Sequence, residues 1–152
     1  MAASRTKDYL FVGIQFLLFG AYAWDYAALG FSRPTALGYF GLFLALSGVC
    51  TGVLALLQLN TNLSPFPTPV ANGELVTTGV FAFARHPIYA SLLMAAFGYA
   101  LYVGSGYRLL VGLALLVLFY FKSSYEEGLL EARYSGYAEY RKRVGRFSPI
   151  VG

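Results

Sequence analysis

Charge is scarce in this sequence: Asp, Glu, Lys and Arg make up 12% of its 152 residues, against roughly 25% in an ordinary soluble domain. With 58% of residues hydrophobic and a mean hydropathy of +0.60, this shortage excludes a free-standing soluble domain, because so small a chain exposes too much surface to hide its apolar groups. The one cysteine, Cys50, excludes an internal disulfide, and its place inside an apolar run reads as core packing. The one histidine, His86, lies far from it, so no Cys/His metal cluster and no Cys–His pair close in sequence is available, and no metal is expected. Neither a Walker motif nor G-x-G-x-x-G occurs, which argues against a soluble-type nucleotide fold. Acidic residues are the scarcer sign, 7 against 11 basic ones, for a net charge of +4. The basic run Arg141-Lys142-Arg143-Val144-Gly145-Arg146 follows apolar stretches and accompanies no base-reading module, so it fits a membrane surface and not nucleic acid.

What is abundant fits the bilayer. The 17 glycines, 13 tyrosines and 13 phenylalanines suit transmembrane helices that pack through small residues and anchor through aromatics. Apolar stretches at 9–29, 35–59, 88–103 and 107–121 predict an all-α integral membrane protein with about four transmembrane helices, a cytoplasmic loop and a C-terminal amphipathic helix. The first follows Arg5 and Lys7 like a signal peptide, but it continues through Trp24 and Tyr26 and reads as a retained helix. Asp25 near its end reads as interfacial, at a depth where an ionisable group is a candidate for function, and Gln15 as an interhelical hydrogen-bonding residue. The last two stretches, joined by Gly104-Ser105-Gly106, read as a tight hairpin whose second helix continues past the membrane surface, with Arg108 snorkelling at the far side. Gly38, Gly41, Ala45, Gly48 and Gly52 form one helix face of small residues, read first as packing within the chain and second as a homodimer seam. Arg5, Lys7, Arg85 and the six basic residues after 121 would share one side, leaving Arg33 and Arg108 opposite. That bias predicts a multi-pass protein with both termini and the 60–87 segment in the cytoplasm. The chain reads as a single domain over 1–152, with two N-terminal spans in 1–59 and the chemistry in 60–150.

Two segments carry that chemistry. Pro65, Pro67 and Pro69 exclude a helix between the second and third stretches and favour extended surface chain, and so long a loop is functional or disordered. It leads to Arg85-His86-Pro87-Ile88-Tyr89. Pro87 suits the first turn of a helix, so free amides, a guanidinium and an imidazole meet where a carboxylate would sit; a membrane anchor and an interfacial histidine explain the same residues. Farther on, Ser124 with Glu127, and Ser123 with Glu126, match capping boxes and would start a helix. The paired carboxylates equally suit ribose hydroxyls, an amine or a sulfonium, and spacing does not choose. Leu130, Tyr134, Tyr137 and Val144 recur at helical intervals, with Tyr140 nearby and Ser135-Gly136 as a kink. This aromatic, basic tail would lie on the membrane and roof over the hairpin.

Taken in order, Arg85-His86-Pro87-x-Tyr89, Glu126-Glu127-x-Leu129-Leu130, Tyr137-x-x-Tyr140 and Arg146-Phe147-x-Pro149 resemble the isoprenylcysteine carboxyl methyltransferase family over about residues 60–150. Phospholipid N-methyltransferases share the R-H-P-x-Y and E-E elements, and the C-terminal part of membrane sterol reductases is similar too. The resemblance implies S-adenosylmethionine bound on the cytoplasmic side, which makes 60–150 a cofactor-binding core, with a lipid-like substrate reaching it from the bilayer. It carries His86, Pro87, Tyr89, Glu126 and Glu127 over as cofactor-pocket residues and Leu75, Val76, Thr77 and Gly79 as backbone wall. Arg85 becomes the charged residue nearest the transfer site, able to orient a carboxylate, and Glu127 the base that an amine acceptor would need. The implied activity is carboxyl O-methylation of a prenylcysteine-type molecule. The alternatives are methylation of a phospholipid amine, a non-catalytic membrane binding protein, or an NADPH-dependent reductase. Ser135 stands where related tails have Pro or Gly, and only two spans precede the core, which bears on substrate selection more than on the cofactor.

Overall fold

A computed structural model describes residues 2–24 and 26–149, so the expectation at Asp25 lies outside the described residues. Among the described residues the chain is all-α, with five helices: α1 (Ala2–Ala23), α2 (Thr35–Leu59), α3 (Pro87–Val103), α4 (Gly106–Arg133) and α5 (Tyr137–Arg143). α2 fills the expected 35–59. α3 begins with Pro87 in its first turn and ends at Gly104, whose left-handed φ of 71° costs a glycine nothing. Ser105 then caps α4, its side chain accepting the Arg108 N–H at 3.2 Å.

α1 and α4 pack antiparallel. Phe11 stacks on Tyr125 at one end, and Tyr107 Oη donates to the Ala21 carbonyl at the other. α2 lies along α3 through the small-residue face. A Cβ on Gly41 would meet the Gly98 carbonyl at 2.6 Å, and one on Gly48 the Ser91 carbonyl at 2.7 Å. The seam is therefore internal, and the homodimer reading through Gly38, Gly41, Ala45, Gly48 and Gly52 falls, because α3 already covers that face. α2 and α4 are long and apolar enough to cross a membrane, and α3 is apolar but shorter. Only 17% of the most apolar stretch of α2 is buried; the core helix of a soluble protein would hide it, whereas a bilayer solvates it.

Other expectations need correction. The 9–29 stretch is not one helix: α1 stops at Ala23, and after a 3₁₀ turn at Ala27–Leu29 the chain bends to pair Gly30 with Ser105 and to donate the Phe31 N–H to the Gly104 carbonyl at 2.8 Å. The capping boxes do not form, since α4 runs unbroken through them and Ser123 and Ser124 bond back to the Tyr120 carbonyl at 3.1 and 2.8 Å. Ser135-Gly136 is a break between α4 and α5, not a kink. Cys50 is exposed on α2 and packs no core.

Hydrophobic packing sits at two levels. Leu93, Ala96, Leu115 and Phe119 form the bundle core with Phe19, Tyr22 and Tyr89. Tyr137, Tyr140 and Val144 form a second cluster with Leu75, Leu130 and Tyr134, which docks α5 and the loop at Leu75 on the end of α4. As expected of the tail, it roofs the end of the hairpin: the Arg85 and His86 amides donate to the Gly145 and Arg146 carbonyls at 2.9 and 3.0 Å.

Candidate active site

Glu127 is the anchor of this end of the molecule. It faces inward from α4 and is 1% exposed. Arg85 Nε donates to its Oε1 at 2.9 Å, His86 Nε2 lies 3.2 Å from the same oxygen, and Arg146 Nη2 donates to Oε2 at 3.1 Å. The carboxylate that the Arg-His segment attracts is thus the chain's own. Arg85 Nη1 donates to the Arg141 carbonyl at 3.1 Å and also to that of Val144, so the guanidinium ties the tail to the start of α3 while it holds Glu127. Such a pair is favourable only when further hydrogen bonds satisfy its remaining groups; here both Glu127 oxygens and the Nε and Nη1 of Arg85 are bonded.

Glu126, one residue earlier, points into a cavity instead. Tyr89 Oη donates to its Oε2 at 2.8 Å, with His86 Nδ1 at 3.8 Å from that oxygen. His86, Tyr89 and Phe119 are stacked in series, with ring centroids 5.4 and 4.8 Å apart and planes within 9° of parallel. Stacking fixes the histidine and tyrosine rotamers and so aims both polar tips at the Glu-Glu turn.

Two cavities adjoin at this place, and both are walled by Leu59, Ser64, Phe81, Arg85 and Glu126. The larger, of ≈ 290 Å³, is lined by His86, Pro87, Tyr89, Lys122 and Gln15. The smaller, of ≈ 100 Å³, lies under the loop and tail and is lined by Leu75, Val76, Tyr134, Tyr137 and Tyr140. Burial pushes the Tyr140 phenol up to about 12, so it stays a donor, to the Phe81 carbonyl at 2.5 Å. Tyr137 Oη is buried and has no hydrogen-bond partner among the described residues. Farther into the bundle an apolar cleft of ≈ 490 Å³ runs between α1, α2, α3 and α4, lined by Phe19, Tyr22, Val49, Leu92, Tyr99 and Leu115.

His86, Pro87, Tyr89 and Glu126 therefore share one cavity, and Leu75 and Val76 the adjoining one. Thr77 and Gly79 line neither; Gly79 sits at φ 61° against Gln58, whose Oε1 accepts the Val80 N–H at 3.0 Å. Glu127 is behind the wall. Sequence reading missed Lys122 and Tyr137. The signal for Lys122 was a lone lysine on an apolar helix, one turn before Glu126 and on its face.

A profile of the phospholipid methyltransferase family matches residues 36–136. No curated protein matches the chain. The structure of the eukaryotic intramembrane Ras methyltransferase, isoprenylcysteine carboxyl methyltransferase, solved without a monobody, superposes with a TM-score of 0.63 and 22% identity over 99% of this chain. That likeness is one of fold, and the chain spans 52% of the length of that relative. Matched over more than half of its residues, the chain belongs to the phospholipid methyltransferase family, membrane enzymes that use S-adenosylmethionine.

Proposed function

We propose that the chain methylates a lipid-like acceptor, binding S-adenosylmethionine in the two adjoining cavities while the acceptor's hydrocarbon chain occupies the apolar cleft. The observation that carries this is the sequence of surfaces along α3 and α4: carboxylate, phenol and imidazole at Glu126, Tyr89 and His86, then apolar lining from Leu92 inward, one turn farther along. The residues present fit the cofactor. Glu126 offers a carboxylate to ribose hydroxyls or to a cationic group, and Tyr137, whose buried Oη has no hydrogen-bond partner among the described residues, lines the smaller cavity. When bound, the cofactor supplies an electrophilic methyl group to an acceptor in line with it. The protein's share is positioning and exclusion of water, which the roof formed by α5 and residues 144–147 provides. The positive-residue bias supports a cytoplasmic position for this end.

For the acceptor we favour the carboxylate of a prenylcysteine-type molecule. Both oxygens of Glu127 are held by Arg85, His86 and Arg146, so Glu127 serves as a positioning group and is ill placed as a base. Arg85 likewise positions the tail, with Nη2 alone left to reach an acceptor. A carboxylate needs no base, whereas an ammonium must first lose a proton. The phospholipid amine reading is favoured by the family match, with Glu126 then taking the proton. Transfer of a labelled methyl group to prenylcysteine analogues and to aminophospholipids, by the parent and Glu126→Gln, separates the two. Base-labile ester in the parent, weakened but retained in the variant, supports the carboxylate; transfer to the amine alone, falling roughly 100-fold or more in Glu126→Gln, contradicts it.

A further inference from the structure

Lys122 is 1% exposed on α4, one turn before Glu126, and lines the larger cavity. Its ammonium donates to Gln15 Oε1 of α1 at 2.7 Å and to the Pro65 carbonyl at 2.8 Å, and sits 5.3 Å from the centroid of the Tyr89 ring. All of these partners are neutral. Asp8 and Glu126 are the carboxylates that act on it electrostatically, yet among the described residues neither comes within ion-pair distance. Glu126 is bonded to Tyr89 instead. A buried ammonium with no carboxylate in contact is costly, and its three donors here meet two acceptors among the described residues. One N–H is left at the wall of a cavity whose other cation, Arg85, is already matched by Glu127.

We propose, resting on the methyltransferase reading above, that Lys122 binds an anionic oxygen of the molecule in this cavity, a carboxylate or a phosphate. Gln15 and the Pro65 carbonyl brace the long side chain so that its third donor faces the ligand, which makes α1 and the proline-rich segment parts of the site. Of the two braces, Gln15 on α1 lies outside the matched residues 36–136, and Pro65 lies within them. Two sources offer that chemistry, the amino-acid carboxylate of the cofactor and the acidic head group of the acceptor.

The test uses the detergent-purified full chain with Lys122→Met, Lys122→Arg and Gln15→Leu. Binding is measured for S-adenosylhomocysteine and for its analogue lacking the carboxylate, and KM for the lipid acceptor. A loss of roughly tenfold or more in Lys122→Met for S-adenosylhomocysteine but not for the analogue, with Lys122→Arg retaining part of the binding and Gln15→Leu intermediate, identifies the cofactor carboxylate. Unchanged cofactor binding with a similar rise in acceptor KM identifies the head group. The proposal is overturned if folded Lys122→Met prefers S-adenosylhomocysteine over the analogue as strongly as the parent does and keeps the parent KM. It is equally overturned if Asp8→Asn reproduces every loss, since Asp8 would then be the counter-ion. A parent that binds neither compound contradicts the methyltransferase reading itself, a different failure.

Discussion

Four basic groups surround the carboxylate of Glu127: Arg85, His86, Arg146 and, at 3.8 Å, Arg141. Its role follows from the cost of removing it. In Glu127→Gln the buried Arg85 guanidinium loses its counter-charge, a change that costs about 3–5 kcal/mol when one partner of a buried pair is removed. Replacing both, as Arg85→Met with Glu127→Gln, should cost clearly less than the sum of the single changes, because the buried guanidinium is removed together with its counter-charge. Denaturant titration in micelles measures all three, and strictly additive losses would show that the two side chains do not act as a pair. Glu126 differs in kind: its side chain keeps 24% of its exposure, faces a cavity and has one phenol as its hydrogen-bond donor. Two adjacent carboxylates are thus divided by the helix between structure and binding, since consecutive residues on α4 point about 100° apart.

At the level of elements, the seam between α2 and α3 holds the family-matched half of the bundle together. Gly48→Leu drives a side chain into the Ser91 carbonyl and the Ala95 amide, both 2.7 Å from the first added carbon. It should destabilise by at least about 1–3 kcal/mol, seen as a lower melting temperature and loss of a monodisperse detergent peak. Gly20→Leu, with nothing within 4 Å of the added carbon, should stay within about 0.5 kcal/mol; equal damage from both would locate the close contact elsewhere. The stripe of small residues was legible as a packing face because the helical period exposes it, and so were α2, the hairpin and the Pro87 start of α3. The end of α1 was not, because what stops it is a contact with Gly104 and Ser105, some 75 residues away. Ser123 and Ser124 misled for a related reason: a capping box needs a free helix start, and α4 was already about five turns into an uninterrupted ladder of backbone bonds.

For the whole molecule, the two ends of the bundle do different work. One end is a short lock made by the Gly30–Ser105 bridge and the Ser105 cap; the other gathers the proline-rich segment, the start of α3, the end of α4 and the tail around the cavities. The motifs at 85–89 and 126–127 were legible as site candidates from residue type and order. That Glu127 fills the anion position and Lys122 takes its place at the cavity wall was not, because sequence gives no depth along α4 and no facing of α1. The central claim is that this end binds S-adenosylmethionine through the cavity of His86 and Glu126. Calorimetric titration of the purified chain with S-adenosylhomocysteine tests it most directly. The account predicts saturable binding by the parent and a loss of roughly tenfold, ~1.4 kcal/mol, in His86→Ala and in Glu126→Ala; no binding by the parent, or parent-like binding by both folded variants, would contradict it.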